Sequence, residues 1–83
     1  MRTTIHLPDI GVDPGRRITL SAWYAKPGDL VYEGDRLVEV LTDGATFDVA
    51  CPATGYLAER LAFPRDVLHA GHALGVVESG EPG

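Results

Sequence analysis

The chain repeats itself. Sliding the sequence by 37 residues sets Leu20 on Leu57, Ala25 on Ala62, Pro27 on Pro64 and Asp29 on Asp66. The same shift sets Gly34 on Gly71, Leu37 on Leu74 and Val40 on Val77. Further upstream, Ile5-His6-Leu7-Pro8-Asp9-Ile10-Gly11 matches Val49-Ala50-Cys51-Pro52-Ala53-Thr54-Gly55 at a larger offset. The difference is a loop at Val12–Ile18 that only the first half carries. The matches fall on residues that make turns (Gly, Pro, Asp) and residues that fill cores (Leu, Val). Two halves that share both turns and core positions imply a sandwich with approximate two-fold symmetry, each half supplying one face of the core.

Each half is written in strands. Period-two alternation runs through Thr3–Leu7, Ile18–Ala25, Arg36–Leu41, Thr46–Ala50, Gly55–Ala62 and Ala73–Glu78. No apolar i, i+3, i+4, i+7 stripe persists over three turns, so no helix is expected. Within Ile18–Ala25, strict alternation sends Ile18, Leu20, Ala22 and Tyr24 to one face and Thr19, Ser21, Trp23 and Ala25 to the other. The fold class expected is all-β: a flattened barrel or sandwich of two four-stranded antiparallel sheets. Lys26-Pro27-Gly28-Asp29 has Pro at i+1 and Gly at i+2, which suits a type II turn. Glu33-Gly34-Asp35 provides another residue able to take positive φ. At the join of the halves, Asp43-Gly44 stands between two alternating runs, the strongest short-range signal for a type I′ hairpin. That hairpin would face Leu41 with Thr46 and Val40 with Phe47, with Asp43 and Gly44 at a protruding tip. The domain is expected over residues 1–79, with 80–83 a flexible tail or the start of a linker.

Composition removes several function classes. The 83 residues fit one small domain and leave no room for an interdomain cleft. Twelve acidic against seven basic side chains give a net charge of −5, which argues against a nucleic-acid partner. One cysteine, Cys51, permits neither an internal disulfide nor a CxxC site and fits a reducing, cytoplasmic setting. No apolar run is long enough for a membrane span, and the N-terminal residues lack a signal-peptide core. His69-x-x-His72, with His6 elsewhere, lacks a third ligand at metal-site spacing, so no metal is expected. Cys51 has no His–Asp pair at a recognisable spacing, and packing is the simpler role for it. Asp29, Asp35, Asp43 and Asp66 all fall in turns, where the side chain caps its own backbone. Trp23 reads as a half-buried sheet residue. No phosphate-binding glycine loop is present.

Several segments together resemble the lipoyl domains of the dihydrolipoyl acyltransferase components of 2-oxo acid dehydrogenase complexes. Leu7-Pro8-Asp9-Ile10-Gly11 is similar to the opening motif of that family. Trp23-Tyr24-Ala25-Lys26-Pro27-Gly28-Asp29 with Glu33-Gly34-Asp35 resembles its W-x-V-K-x-G-D…x-G-D pattern. Val38–Asp43 resembles the strand leading to the modification hairpin, Cys51-Pro52-Ala53-Thr54-Gly55 the element after it, and Gly71-His72-Ala73-Leu74-Gly75 the closing strand. The resemblance implies a barrel–sandwich hybrid and a swinging-arm carrier whose lipoate forms an amide with a lysine in Asp-Lys-Ala. Here that triplet reads Asp43-Gly44-Ala45. The only lysine in the chain is Lys26, in a turn expected to lie away from the tip. The Met-Lys-Met signature of biotin carriers is also missing.

The expectation is therefore no catalytic residue and no cofactor: a lipoyl-like module acting as a binding or scaffold domain. Its partner would be a protein, such as the enzymes of a 2-oxo acid dehydrogenase-type complex, met by a monomeric domain. Asp43, Ala45, Thr46 and the Val12–Ile18 loop would make the contacts. The alternative is a genuine lipoyl or biotinyl carrier whose lysine was exchanged for Gly44 by deliberate substitution. A third reading, the lipoyl-like module of membrane-fusion subunits in secretion pumps, is disfavoured because only a two-residue turn joins the halves.

Overall fold

A computed structural model describes residues 1–13 and 15–80. Pro14 of the first loop, and residues 81–83 of the expected tail, lie outside the described residues. Eight strands follow in order: β1 (Arg2–His6), β2 (Ile18–Trp23), β3 (Leu30–Val31), β4 (Arg36–Thr42), β5 (Ala45–Ala50), β6 (Gly55–Arg60), β7 (Val67–Leu68) and β8 (Ala73–Glu78). They form two antiparallel four-stranded sheets, ordered β1-β8-β6-β3 and β5-β4-β2-β7. The architecture is the expected sandwich in its open form: the two sheets stay separate and do not close into a barrel.

Exchanging β1 with β5, β2 with β6, β3 with β7 and β4 with β8 turns one sheet order into the other. The symmetry reaches individual hydrogen bonds. Tyr24 N–H donates to the Leu37 carbonyl, and Leu61 N–H to that of Leu74, both at 2.8 Å. Gly28 donates to Leu57, and its counterpart Arg65 to Leu20. The second pair of bonds extends the ladders of β3 and β7, which are only two residues long and fall outside the alternating runs of the sequence. Such short edge strands present few unpaired backbone groups to a neighbouring chain.

The alternation expected for β2 holds for Ile18 and Leu20, both buried, and then fails. Leu20 pairs with Val40, but Ala22 pairs with Glu39, so Ser21 is the extra residue of a β-bulge. The bulge reverses the faces beyond it. Trp23 and Ala25 pack against the core, while Tyr24 stands outside, 43% exposed. The matching bulge falls between Leu57 and Glu59 in β6, at Ala58.

The core is built from both halves: Ile5, Leu7, Leu20, Leu37, Val38, Val40, Leu57, Leu74 and Val77 are all buried to 1% exposure or less. Each such side chain contributes about 1.5–3 kcal/mol by leaving water. Gly75 lets two layers meet. A Cβ there would stand 2.7 Å from the Glu59 carbonyl oxygen and 2.9 Å from Trp23 Cη2, so only glycine admits the indole above it.

Candidate functional site at the hairpin tip

β4 and β5 pair from Arg36↔Ala50 to Thr42↔Ala45, with Leu41 opposite Thr46 and Val40 opposite Phe47, which is the expected register. Asp43 and Gly44 take φ of 54° and 76°, the two positive values a type I′ turn demands. Aspartate tolerates this region better than most residues, and glycine enters it freely. Apart from its own backbone and its two chain neighbours, no heavy atom lies within 4 Å of where a Gly44 Cβ would sit, so the tip stands clear of the body.

The tip is tied to the one loop that breaks the internal repeat. Arg16 Nη1 lies 3.1 Å from Asp43 Oδ1. Both side chains are more than half exposed, so the pair contributes under about 1 kcal/mol and works mainly as a positional link. Behind it a cavity of about 450 Å³ opens between this loop and β7. Pro8, Ile10, Val12, Ile18, Val67 and Leu68 give it apolar walls, and Asp9, Asp13, Arg16 and His69 add polar groups. The site thus joins a rigid turn, an apolar recess and a charged rim. Arg16 belongs to both the recess and the tip, and nothing in its sequence context marks it. That contact exists because the start of β2 folds back beside the end of β4.

What the tip lacks is an amine. Asp43, Gly44, Ala45 and Thr46 offer a carboxylate and a hydroxyl. Lys26 lies at the other end of β2: Thr19 pairs near the tip with Leu41, whereas Trp23 pairs with Val38. Its Nζ is 3.4 Å from Asp29 Oδ1.

Three of the four turn aspartates cap their backbones as expected. Asp29 accepts from Lys26 N–H at 3.0 Å, Asp35 from Tyr32 N–H at 3.1 Å and Asp66 from Phe63 N–H at 2.8 Å. The backbone donor, aided by the Lys26 ammonium, holds the Asp29 carboxyl below its ordinary value despite partial burial. Asp43 is the exception: its carboxylate turns to Arg16.

Cys51 is buried, with Sγ 2.9 Å from the Ala53 carbonyl, and burial pushes its thiol up, away from a nucleophilic state. His69 and His72 have ring centroids 5.0 Å apart, and His6 Nδ1 lies 3.1 Å from the Gly71 carbonyl oxygen. Among the described residues no three His, Cys, Asp or Glu side chains gather to hold a metal. Trp23 is half-buried and donates from Nε1 to the Ala62 carbonyl at 2.9 Å.

One polar cluster escaped sequence reasoning. Glu39 and Asp48 are cross-strand partners on the outer face, where like charges repel. The Tyr24 hydroxyl donates to Glu39 Oε2 at 2.8 Å and lies 3.2 Å from Asp48 Oδ1. Ser21 Oγ donates to the other Glu39 oxygen at 3.0 Å, and Arg36 stacks 5.0 Å over the Tyr24 ring. The bond to Glu39, then partial burial and the bond to Asp48, push the Tyr24 hydroxyl up to about 12. The bulge that flips Tyr24 outward creates this cluster.

Known proteins share both this sequence pattern and this architecture. The family model described as "Biotin-requiring enzyme" matches residues 3–78. The chain is 35% identical over 80 residues to the dihydrolipoyllysine-residue succinyltransferase component of the 2-oxoglutarate dehydrogenase complex of Bartonella vinsonii subsp. berkhoffii. That match covers 96% of this chain and 19% of the relative. It is 31% identical over 70 residues to the lipoamide acyltransferase component of the branched-chain alpha-keto acid dehydrogenase complex of Pseudomonas putida, covering 84% of this chain and 16% of that one. The chain therefore spans less than a fifth of the length of these curated relatives. Among solved structures, the lipoyl domain of the Azotobacter vinelandii 2-oxoglutarate dehydrogenase complex superposes with a TM-score of 0.72 at 27% identity. The superposition covers 94% of this chain and 98% of that domain.

Proposed function

The chain belongs to the biotin and lipoyl attachment-domain family, and from that membership we propose that it is a lipoyl-type domain working as a binding module without a prosthetic group. The observation that carries this reading is Gly44. In the family, lipoate is held as an amide on the lysine of the tip triplet, and position 44 is where that lysine would stand. A glycine has no amine to acylate, and the nearest residues in sequence, Asp43, Ala45 and Thr46, supply none. Lipoate does not fit this tip, so no carrier step is assigned to it. Lys26 is not a substitute, because it sits in the β2–β3 turn and is engaged with Asp29.

What the site retains is shape. The hairpin is pinned by two positive-φ residues, Arg16 links the adjacent loop to it, and an apolar recess opens alongside. These are features of a protein-recognition surface: a rigid tip, a small apolar pocket and a polar rim. The partner class that kinship supports is an enzyme of a 2-oxo acid dehydrogenase-type complex, met in the cytoplasm by a monomeric domain. Affinity capture from cell extract, run beside the double variant Arg16→Ala, Asp43→Ala, tests this. The reading expects such an enzyme to be retained by the parent chain and lost from the variant. Equal retention by both would contradict it.

A further inference from the structure

On another face of the molecule, the pseudo-two-fold axis brings together residues that the repeat places in equivalent positions but that differ chemically. Trp23, Tyr24 and Lys26 of the first half correspond to Arg60, Leu61 and Phe63 of the second. Trp23, Lys26 and Arg60 line one open cavity of about 250 Å³ with Tyr24, Ala25 and Asp29. The two matched halves are satisfied unequally. Trp23 Nε1 donates to the Ala62 carbonyl. The Nε of Arg60, its counterpart, is buried with no hydrogen-bond partner. Among the described residues Arg60, like Arg17 and Arg65, makes no ion pair within 4.0 Å, but it alone of the three also has a buried N–H without a partner. Asp29, the one acid lining the cavity, is already held by Lys26 through backbone and ammonium.

A buried guanidinium N–H without an acceptor is costly, and a carboxylate on the same fork is the geometry that relieves it. Because the cavity is open to water, a lone carboxylate would gain little there. The surroundings supply the rest. Leu61 and Phe63 follow Arg60 on the same segment, outside the cavity lining, and are 46% and 50% exposed, while Tyr24, 43% exposed, lines the cavity itself. Arg60, with the Lys26–Asp29 pair at the rim, and the exposed apolar groups beside it match a ligand that is both acidic and apolar.

We propose that this cleft, at the opposite end of β2 from the hairpin tip, is a second docking site that takes an acidic segment of a polypeptide partner. One carboxylate seats on Arg60, where Lys26 offsets the charge of Asp29 at the rim, and a neighbouring apolar side chain covers Leu61 and Phe63. This assignment does not depend on the tip being unmodified or on the identity of the tip's partner.

Trp23 is the only tryptophan in the chain, so its fluorescence reports on the cleft directly. The full chain is titrated with a capped hexapeptide of alternating glutamate and leucine, with its glutamine–leucine counterpart, and with sodium acetate. The expected result is a saturable change with the glutamate peptide alone, at least tenfold weaker in Arg60→Gln, and weakened as NaCl rises from about 50 to 500 mM. Lys26→Gln, at a side chain 77% exposed, is expected to weaken binding without altering thermal melting, and it tests the site independently should Arg60→Gln melt early. An equal response to acetate would reassign the cleft to free carboxylates and overturn the polypeptide assignment. So would an equal response to the glutamine peptide. Unchanged affinity in both variants would overturn the site itself.

Discussion

Arg65 shows how closely the two halves are matched and where they part. It occupies the position of Gly28 in the repeated turn and adopts φ of 79° beside the glycine's 97°. A side chain with a Cβ pays about 1–2 kcal/mol for that region, partly offset by the smaller unfolded-state entropy of a non-glycine residue. Replacing Arg65 with Gly keeps the N–H donated to Leu20 and removes the strain. The expected gain is about 0.5–1 kcal/mol, read as a rise of a few degrees in thermal midpoint. Tyr24 supplies a prediction with a pH axis. Its folded hydroxyl titrates at about 12, above the ordinary 10.0, so the fold favours the neutral form. The stabilisation is complete below about pH 10 and is lost as pH rises through 12. An ultraviolet tyrosinate titration should therefore show one late step near 12 that vanishes in Tyr24→Phe. Three of the four turn aspartates were legible from sequence because Asx capping is local, whereas Asp43 was not, because its partner Arg16 lies 27 residues away. The Tyr24–Glu39–Asp48 contact was not, because it joins three strands and depends on a bulge.

At the scale of elements, the β4–β5 hairpin was legible near its tip, where Asp-Gly dictates the turn and the turn the register, but not at the irregularity between Arg36 and Val38. β2 was legible only to Leu20. Alternation assumes an unbroken ladder, and the extra Ser21 breaks it without leaving any residue type that announces a bulge. β3 and β7 were invisible for another reason, since a two-residue strand has no period to detect. Their existence follows from the neighbours that hydrogen-bond to them. The hairpin carries the third prediction. Gly44→Lys meets open space but keeps φ near 76°, so it should cost about 1–2 kcal/mol while leaving the fold intact. Co-expressed with a lipoate ligase, this variant should acquire the lipoyl mass increment. Failure of a folded variant to do so would mean that the tip departs from the shape the ligase recognises.

For the whole molecule, the internal repeat is the most informative feature, because it predicts both the sheet count and the relation between the sheets. The departures from symmetry carry the functional content. The loop of residues 12–18 has no counterpart in the second half and makes the tip's recess, while Trp23 and Arg60 occupy equivalent places with different chemistry. The sequence already marks the loop as a contact surface, whereas the meeting of Trp23 and Arg60 was not readable, since it depends on which residues the two-fold brings together. Under the proposed function, this is a domain of carrier shape with no group to carry. Intact-mass spectrometry of the parent chain, co-expressed with a lipoate ligase and supplied with exogenous lipoate, tests that statement without intermediaries. The mass of the bare polypeptide is expected throughout, and a species heavier by one lipoyl group would contradict it.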